Sequence, residues 1–272
     1  MEKKSLLMFS LSIFSALLIL YFISMLALFL DKRPSEELNF YLIIVMQILV
    51  FLSPIAFVSV FFKKNVKEII NLNINFNYRF IIYAVAGLFF LDIVNNSILS
   101  FQDYLVPVAF KDVLELSKQN TQGYYSQLLM VDRWYMIIVP IFIGAILPAI
   151  CEEMFFRGLL QKSLSKYSKW IMVLVPSIIF GFFHGQIVFL LPLILVGIYL
   201  ALLSYYAQSI VPSIIIHFIN NLKSIVLMNL FGADTQSMSI LYASILFPIS
   251  LFLLYYTITL IKRFIVLPQF RA

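Results

Sequence analysis

Long apolar stretches alternate with short polar segments along the whole chain. A membrane-spanning helix needs about 20 mostly apolar residues. Eight stretches approach that length, at approximately residues 5–30, 39–62, 80–101, 134–157, 170–186, 187–206, 210–231 and 238–261. Little more than the letters HGQ separates the fifth stretch from the sixth, which predicts a tight helical hairpin. We therefore predict an all-α polytopic membrane protein with about eight transmembrane helices.

The composition agrees with this pattern. Hydrophobic residues make up 62% of the chain, only 12% are charged, and the mean hydropathy is +1.00, which excludes an ordinary soluble domain. The net charge of +6 does not indicate nucleic-acid binding, because the basic residues lie in short loops between apolar runs. The single cysteine, Cys151, can form neither an internal disulfide nor a thiolate metal site.

The distribution of Lys and Arg predicts the orientation. When the N-terminus and every second loop are placed on one side, 13 of these residues fall there, five fall opposite, and Lys223 lies within a span. Basic residues are enriched in cytoplasmic loops. We expect a multi-pass protein of the cell membrane with both termini in the cytoplasm. The first apolar run lacks a small-residue cleavage site, so we expect it to stay as a helix.

The longest polar stretch, residues 102–133, would then lie outside. Its sequence FKDVLELSKQNTQGYYSQLL mixes apolar and polar positions. An interfacial helix lying on the membrane and a solvated loop both agree with this pattern.

A few polar residues fall within the predicted spans, where charge is costly unless it is paired or functional. They are Asp92, Asn95, Asn96, Glu152, Glu153, Arg157, His184, His217, Asn220, Asn221 and Lys223. The group at 92–96 is typical of an interhelical hydrogen-bond cluster. Lys223 either snorkels to the interface or lines a cavity.

Helix geometry sorts these residues by face. Glu153 and Arg157 are four apart and can form an ion pair, which lowers the cost of burying both. Glu152 points about 100° away from Glu153 around the helix. His217 and Asn221 are also four apart and share a face.

Both histidines of the chain lie in predicted spans. Histidine can donate a proton, orient water or ligate a metal near neutral pH. At 1.5 Å per residue, the depths below the cytoplasmic ends of their helices are ~15 Å for Glu152, ~21 Å for His184, ~10 Å for His217 and ~16 Å for Asn221. All four fit one slab of a ~30 Å hydrocarbon core, so three helices can bring them together.

Three short motifs resemble a known family. EEMFFR (Glu152–Arg157), FGFFH (Phe180–His184) and HFINN (His217–Asn221) resemble the EExxxR, FxxxH and HxxxN motifs of the CAAX protease and bacteriocin-processing (Abi) family. These are intramembrane proteases related to the type II CAAX prenyl endopeptidase. The resemblance predicts a protease core at 133–230, between N-terminal transmembrane helices and an external loop at 1–132 and a C-terminal transmembrane helix at 231–272.

The resemblance implies a role for each motif residue, with the active site inside the helix bundle. Glu152 would activate a water as general base, and His184, His217 and Asn221 would position that water or stabilise the oxyanion. The supporting residues are Glu153, Arg157 and Phe180. Hydrogen-bond donors aimed at developing negative charge are most effective where water is excluded.

Zinc is the one cofactor that the resemblance leaves open. Glu152, His184 and His217 would be the ligands, with water in the fourth position. The sequence contains no HExxH, and Asn221 suits an oxyanion donor better than a zinc ligand. Chemistry driven by a glutamate is therefore the preferred interpretation.

The sequence predicts an intramembrane endopeptidase acting on a membrane-associated peptide or small protein, in bacteriocin or signal-peptide processing or in self-immunity. We expect the protein to be surrounded by membrane lipid and to bind no nucleic acid. A peptide-secretion protein or a sensor kinase is a possible partner. One alternative is an ion-coupled transporter, although its repeats should spread polar residues through both halves of the chain. A non-catalytic membrane scaffold or immunity protein is another.

Overall fold

A computed structural model describes residues 2–29, 36–74, 76–232 and 238–264, and the described residues contain helices and no strands. In the first half, the bounds are α1 Glu2–Phe29, α2 Glu36–Gln47 continuing through a π-helical turn Ile48–Leu52 into Ser53–Phe62, α3 Val66–Ile70, α4 Tyr78–Leu105 and α5 Val108–Leu129. The polar stretch that the sequence left open is thus largely the helix α5.

The second half contains a long composite helix and the helices around it. The helix α6 consists of a 3₁₀ turn Trp134–Ile137, an α-helical turn Ile138–Ile141, a π-helical turn Phe142–Ile146, an α-helical segment Leu147–Glu153 and a π-helical segment Met154–Gln161. The remaining helices are α7 Lys169–Phe183, α8 Leu190–Ala207 preceded by a 3₁₀ turn Ile187–Phe189, α9 Val211–Phe231 and α10 Ile240–Lys262.

The all-α polytopic architecture is confirmed, with one predicted span shorter than expected. Within the described residues, seven helices are long and apolar enough to cross a membrane. The stretch predicted at 170–186 forms α7, which has 15 residues and a length of ~22 Å. The described residues therefore contain seven full-length candidates and one short apolar helix where eight spans were expected.

The predicted hairpin between α7 and α8 is present. The hydroxyl of Ser168 accepts a hydrogen bond from the backbone of Ile171 and caps the start of α7. The chain then reverses just beyond His184, at Gly185, whose φ of +66° favours glycine. Along the hairpin, a Cβ on Gly197 would lie 3.1 Å from the Cα of Ser177, so the two backbones approach closely.

Two groups of helices flank the segment that carries the motifs. On one side, α1, α2 and α3 pack against the motif end of α6 through a shared apolar cluster that includes Phe51, Phe155 and Phe156. On the other side, α4 and α10 pack along each other and against α8. The helices α6 to α9 therefore lie between these two groups.

The helix α5 is held against the C-terminal part of α9. Its Tyr125 and Leu128 pack beside a small cluster formed by Leu129, Ala145 and Ile225. The side chain of Asn229 donates to the carbonyl of Leu129 at 2.9 Å and accepts from the backbone N–H of Val131 at 3.0 Å. These contacts hold the C-terminal end of α5 close to α6 and α9.

Candidate active site

The acidic motif lies where α6 changes from α-helical to π-helical geometry. Glu152 and Glu153 end the α-helical segment, and Arg157 lies inside the π-helical segment. π-Helical turns within α-helices are frequent at functional sites. The Nη1 atom of Arg157 lies 2.8 Å from Oε1 of Glu153, and both side chains are almost fully buried. The structure therefore contains the predicted ion pair.

The same oxygen of Glu153 has a second partner. Nδ1 of His217 lies 2.8 Å from Oε1 of Glu153, and His217 is buried. Because the carboxylate accepts, the proton in this contact is on Nδ1, and Nε2 remains available on the opposite side of the ring. Glu153 thus fixes the orientation of His217 and connects α6 to α9.

Arg157 also connects α6 to α8. Its Nη2 donates to the carbonyl oxygen of Gly197 at 3.1 Å, and one turn further Nε2 of Gln161 donates to the carbonyl oxygen of Ala201 at 3.0 Å. Two side chains four residues apart therefore bind two carbonyls four residues apart. This pair of contacts sets the register of α6 against α8.

Phe180 lies at the centre of the site. Its ring centroid is 4.7 Å from the Arg157 guanidinium carbon, 4.6 Å from the ring centroid of His184 and 5.9 Å from that of His217. Its carbonyl oxygen is 2.8 Å from Nδ1 of His184, which again leaves Nε2 of that histidine available. Phe180 thus packs against both histidines and the arginine.

The two adjacent glutamates differ in their surroundings. Glu153 is engaged by Arg157 and His217 through Oε1, whereas Glu152 has no ion pair among the described residues. Glu152 is 6% exposed, and its Oε2 is buried without a hydrogen-bond partner in the described part of the chain. Oε2 of Glu153 is likewise without a partner there. Of these two glutamates, Glu152 is therefore the one without a cationic partner among the described residues.

The helix α5 contacts the hairpin turn that follows His184. Nε2 of Gln186, in the hairpin turn, donates to the phenol oxygen of Tyr125 at 2.7 Å. The pKa of Tyr125 is raised above its usual value, chiefly by burial, although the hydrogen bond from Gln186 acts to lower it. The hydrogen bond from Gln186 therefore connects α5 to the turn that follows His184.

Asn221 lies one turn beyond His217 on α9, and its side chain is partly buried. Its Oδ1 is 3.4 Å from Nδ2 of Asn220. The structure therefore brings Glu153, Arg157, Phe180, His184 and His217 into one connected set, with Glu152 next to that set and Asn221 on the same face of α9 as His217.

The possible zinc ligands do not fit a metal site in this arrangement. Among the described residues, no three His, Cys, Asp or Glu side chains are grouped so that they could hold a metal ion. Nδ1 of His217 is engaged by Glu153 and Nδ1 of His184 by a carbonyl. These contacts leave both Nε2 atoms free and are common around metal-bound histidines, so only the spacing of Glu152, His184 and His217 argues against the zinc set considered from the sequence.

Several residues at the site were not identified from the sequence. Gln161 follows Arg157 by four residues, so helical spacing was a usable signal for it. Gly197, Gln186 and Tyr125 had none, because their roles depend on contacts between segments far apart in the chain.

Comparison with known proteins bears on residues 134–223. This segment matches the family model described as Type II CAAX prenyl endopeptidase Rce1-like, and it contains all three motifs. Searches of curated proteins and of solved structures gave no match. The family match confirms the resemblance recognised from the motifs.

Proposed function

We propose, from the assignment of residues 134–223 to the CAAX-protease family, that the protein is an intramembrane endopeptidase in which Glu152 activates the attacking water. The observation that carries this proposal is the difference between the two adjacent glutamates. Glu153 is held by Arg157 and His217, while the buried carboxylate of Glu152 has no cationic partner in the described structure. A base must have an oxygen available for the proton of water.

The chemical step can be written with the groups of this site. Glu152 accepts a proton from water, the water oxygen bonds to the scissile carbonyl carbon, and the carbonyl electron pair moves to its oxygen. The Nδ2 group of Asn221 donates a hydrogen bond to that oxyanion, and the Nε2 atoms of His184 and His217 orient the water. Protonated Glu152 then gives its proton to the leaving amine as the C–N bond breaks.

Glu153 and Arg157 serve as supports in this scheme. Glu153 sets the ring orientation of His217, and Arg157 fixes Glu153 and reaches the carbonyl of Gly197. Buried hydrogen-bonded groups of this kind hold reacting residues in place, because every alternative orientation leaves a charge unpaired. Phe180 packs against both histidines and limits their rotation.

The proposed substrates are membrane-associated peptides or small proteins. Leader peptides, bacteriocin precursors and signalling-peptide precursors are the classes that suit a multi-pass protein of the cell membrane with both termini in the cytoplasm. A secretion or sensor-kinase partner would fit such a pathway. The prenyl substrate in the family's name is not carried over to this chain.

The test uses purified full-length protein in detergent with quenched fluorescent peptides. Glu152→Gln should lower the cleavage rate by about 10²- to 10⁴-fold, the range that a general base contributes. Glu115→Gln is the matched control, because Glu115 is an exposed glutamate on α5, outside the matched segment. We expect it to cleave like the wild type. Gel filtration and thermal unfolding check that both variants are folded.

Three outcomes would contradict the proposal. Equal cleavage by the wild type and Glu152→Gln would remove Glu152 from the chemistry. Loss of activity with a chelator and its recovery with zinc would replace the metal-free scheme with a metal-dependent one. A wild type that cleaves no peptide of a broad library, even in vesicles, would favour the non-catalytic scaffold.

A further inference from the structure

A chain of polar contacts runs around α9 and reaches Asn221 from the opposite side of the helix. It starts at Asp92 on α4, whose Oδ2 forms an ion pair with Nζ of Lys223 on α9. Asp92 lies outside the segment that matches the family, and Lys223 is the last residue inside it. The polar group predicted around 92–96 therefore makes an interhelical contact through its aspartate.

Asn220 provides the next two contacts of this series. Nζ of Lys223 donates to Oδ1 of Asn220 at 3.4 Å, and Nδ2 of Asn220 donates to Oδ1 of Asn221 at 3.4 Å. On an α-helix, positions 220 and 223 lie about 60° apart and 221 lies about 100° beyond 220. Asn220 thus connects two faces of α9. One face carries Lys223 and contacts Asp92, and the other carries His217 and Asn221.

The direction of each amide follows from the cation at the start of the chain. An ammonium group only donates, so Lys223 requires the oxygen of Asn220 and not its NH₂ group. The NH₂ group of Asn220 then faces Asn221 and requires its oxygen. Because Oδ1 of Asn221 accepts from Asn220, the Nδ2 group of Asn221 is directed away from Asn220 and can donate to another acceptor.

We propose that Asp92 and Lys223 are positioning residues that act through Asn220 to orient Asn221, so that its Nδ2 group donates to the oxyanion. This inference rests on the proposed function for its catalytic meaning. Without Lys223, Asn220 has no cation to select its oxygen, and either amide can rotate. An Asn221 that presents its oxygen to a developing negative charge would oppose the reaction.

A kinetic cycle tests the coupling. Asn221→Ala should lower kcat by about 10²-fold, as expected for loss of one oxyanion donor. Lys223→Met should lower kcat by about tenfold through misorientation, with KM unchanged, and Lys223→Arg should restore most of the rate. The double variant Asn221→Ala/Lys223→Met should be no slower than Asn221→Ala alone, because the effect of Lys223 passes through Asn221.

The matched control is Lys118→Met, which removes the lysine of another Lys–Asp pair, formed with Asp103 outside the segment that contains the three motifs. We expect wild-type kcat and KM for it. Multiplication of the two single effects in the double variant would overturn the proposal, as would wild-type kcat in Lys223→Met. A kcat for Lys223→Arg as low as that of Lys223→Met would also overturn it.

A second readout does not depend on activity. In protein labelled with ¹⁵N-asparagine in micelles, the side-chain NH₂ signals of Asn221 are identified by their loss in Asn221→Asp. They should shift in Lys223→Met and in Asp92→Asn and stay in place in Lys118→Met. Unchanged signals in Lys223→Met would overturn the network. If the wild type proves inactive, the proposed function fails on its own, and these signals still decide whether Lys223 orients Asn221.

Discussion

The two sides of the bundle are held together in different ways. Where α6 meets α8 and α9, buried side chains bind across the helices, as Arg157 and Glu153 do with Gly197 and His217. Where α4 meets α10, the contact is mainly apolar, with rings such as Phe101 and Phe247 5.5 Å apart. In lipid, close packing and interhelical hydrogen bonds drive helix association. The side that carries the three motifs relies on directional hydrogen bonds, whereas the other side relies on the close fit of apolar side chains.

The largest effect should come from breaking the buried triad formed by Arg157, Glu153 and His217. Arg157→Met leaves the Glu153 carboxylate buried without its cation and removes the contact with Gly197. Breaking a buried ion pair on one side costs about 3–5 kcal/mol. Equilibrium unfolding in mixed detergent and SDS micelles measures this loss.

A double variant tests the cause. Glu153→Gln/Arg157→Met leaves no unpaired charge and should lose less unfolding free energy than Arg157→Met alone. A loss below ~1 kcal/mol for Arg157→Met would show that the triad does not hold the helices.

A smaller effect is expected on the apolar side from Gly87→Ala in α4. A Cβ there would lie 2.3 Å from Oη of Tyr199, which is itself hydrogen-bonded to the carbonyl oxygen of Ala84 at 2.6 Å. Overpacking of this kind costs about 1–3 kcal/mol. The same unfolding assay measures it.

Gly123→Ala on α5 is the control, because a Cβ at that position meets nothing within 4 Å. It should stabilise the protein by about 0.5–1 kcal/mol, the helical difference between Gly and Ala. The cost of Gly87→Ala should fall in a Tyr199→Phe background, where the clashing oxygen is gone. An equal cost in both backgrounds would mean that Tyr199 is not the obstacle.

The smallest effect should come from the ion pair between Lys118 on α5 and Asp103 on α4. Partly exposed pairs contribute about 0–1 kcal/mol and are weakened by salt. Lys118→Met should therefore change the unfolding free energy by less than ~1 kcal/mol, and high salt should make the variant and the wild type converge. If Lys118→Met lost as much unfolding free energy as Arg157→Met, the buried and the partly exposed ion pair would not differ in their contribution to stability.

Local spacing accounts for what could be predicted from the sequence. Glu153 and Arg157 are four residues apart on one helix, so their pairing was predicted and is present. The hairpin at His184 followed from the short polar gap between two apolar runs. The contact between Glu153 and His217 was missed, because 64 residues separate them and periodicity does not reveal which helices are neighbours.

Departures from regular geometry could not be predicted either. Counting at 1.5 Å per residue assumed uninterrupted α-helices, whereas α6 contains two π-helical segments, Phe142–Ile146 and Met154–Gln161. The choice between loop and helix for α5 was open because its polar and apolar residues suit both, and its contacts with Asn229 are long-range. The domain boundaries and the orientation in the membrane stay predictions.

The short length of α7 has a consequence for the supply of water. At ~22 Å, α7 is about 8 Å shorter than a ~30 Å hydrocarbon core, and a bilayer thins around a helix that is too short for it. The bilayer would then be locally thinner at the turn after Phe183, and the aqueous phase would come closer to His184 and Gln186. The proposed hydrolysis would consume one water for each bond cleaved. A depression of this kind would hydrate the site from one leaflet without a pore through the bundle, so ions would stay on their own side of the membrane.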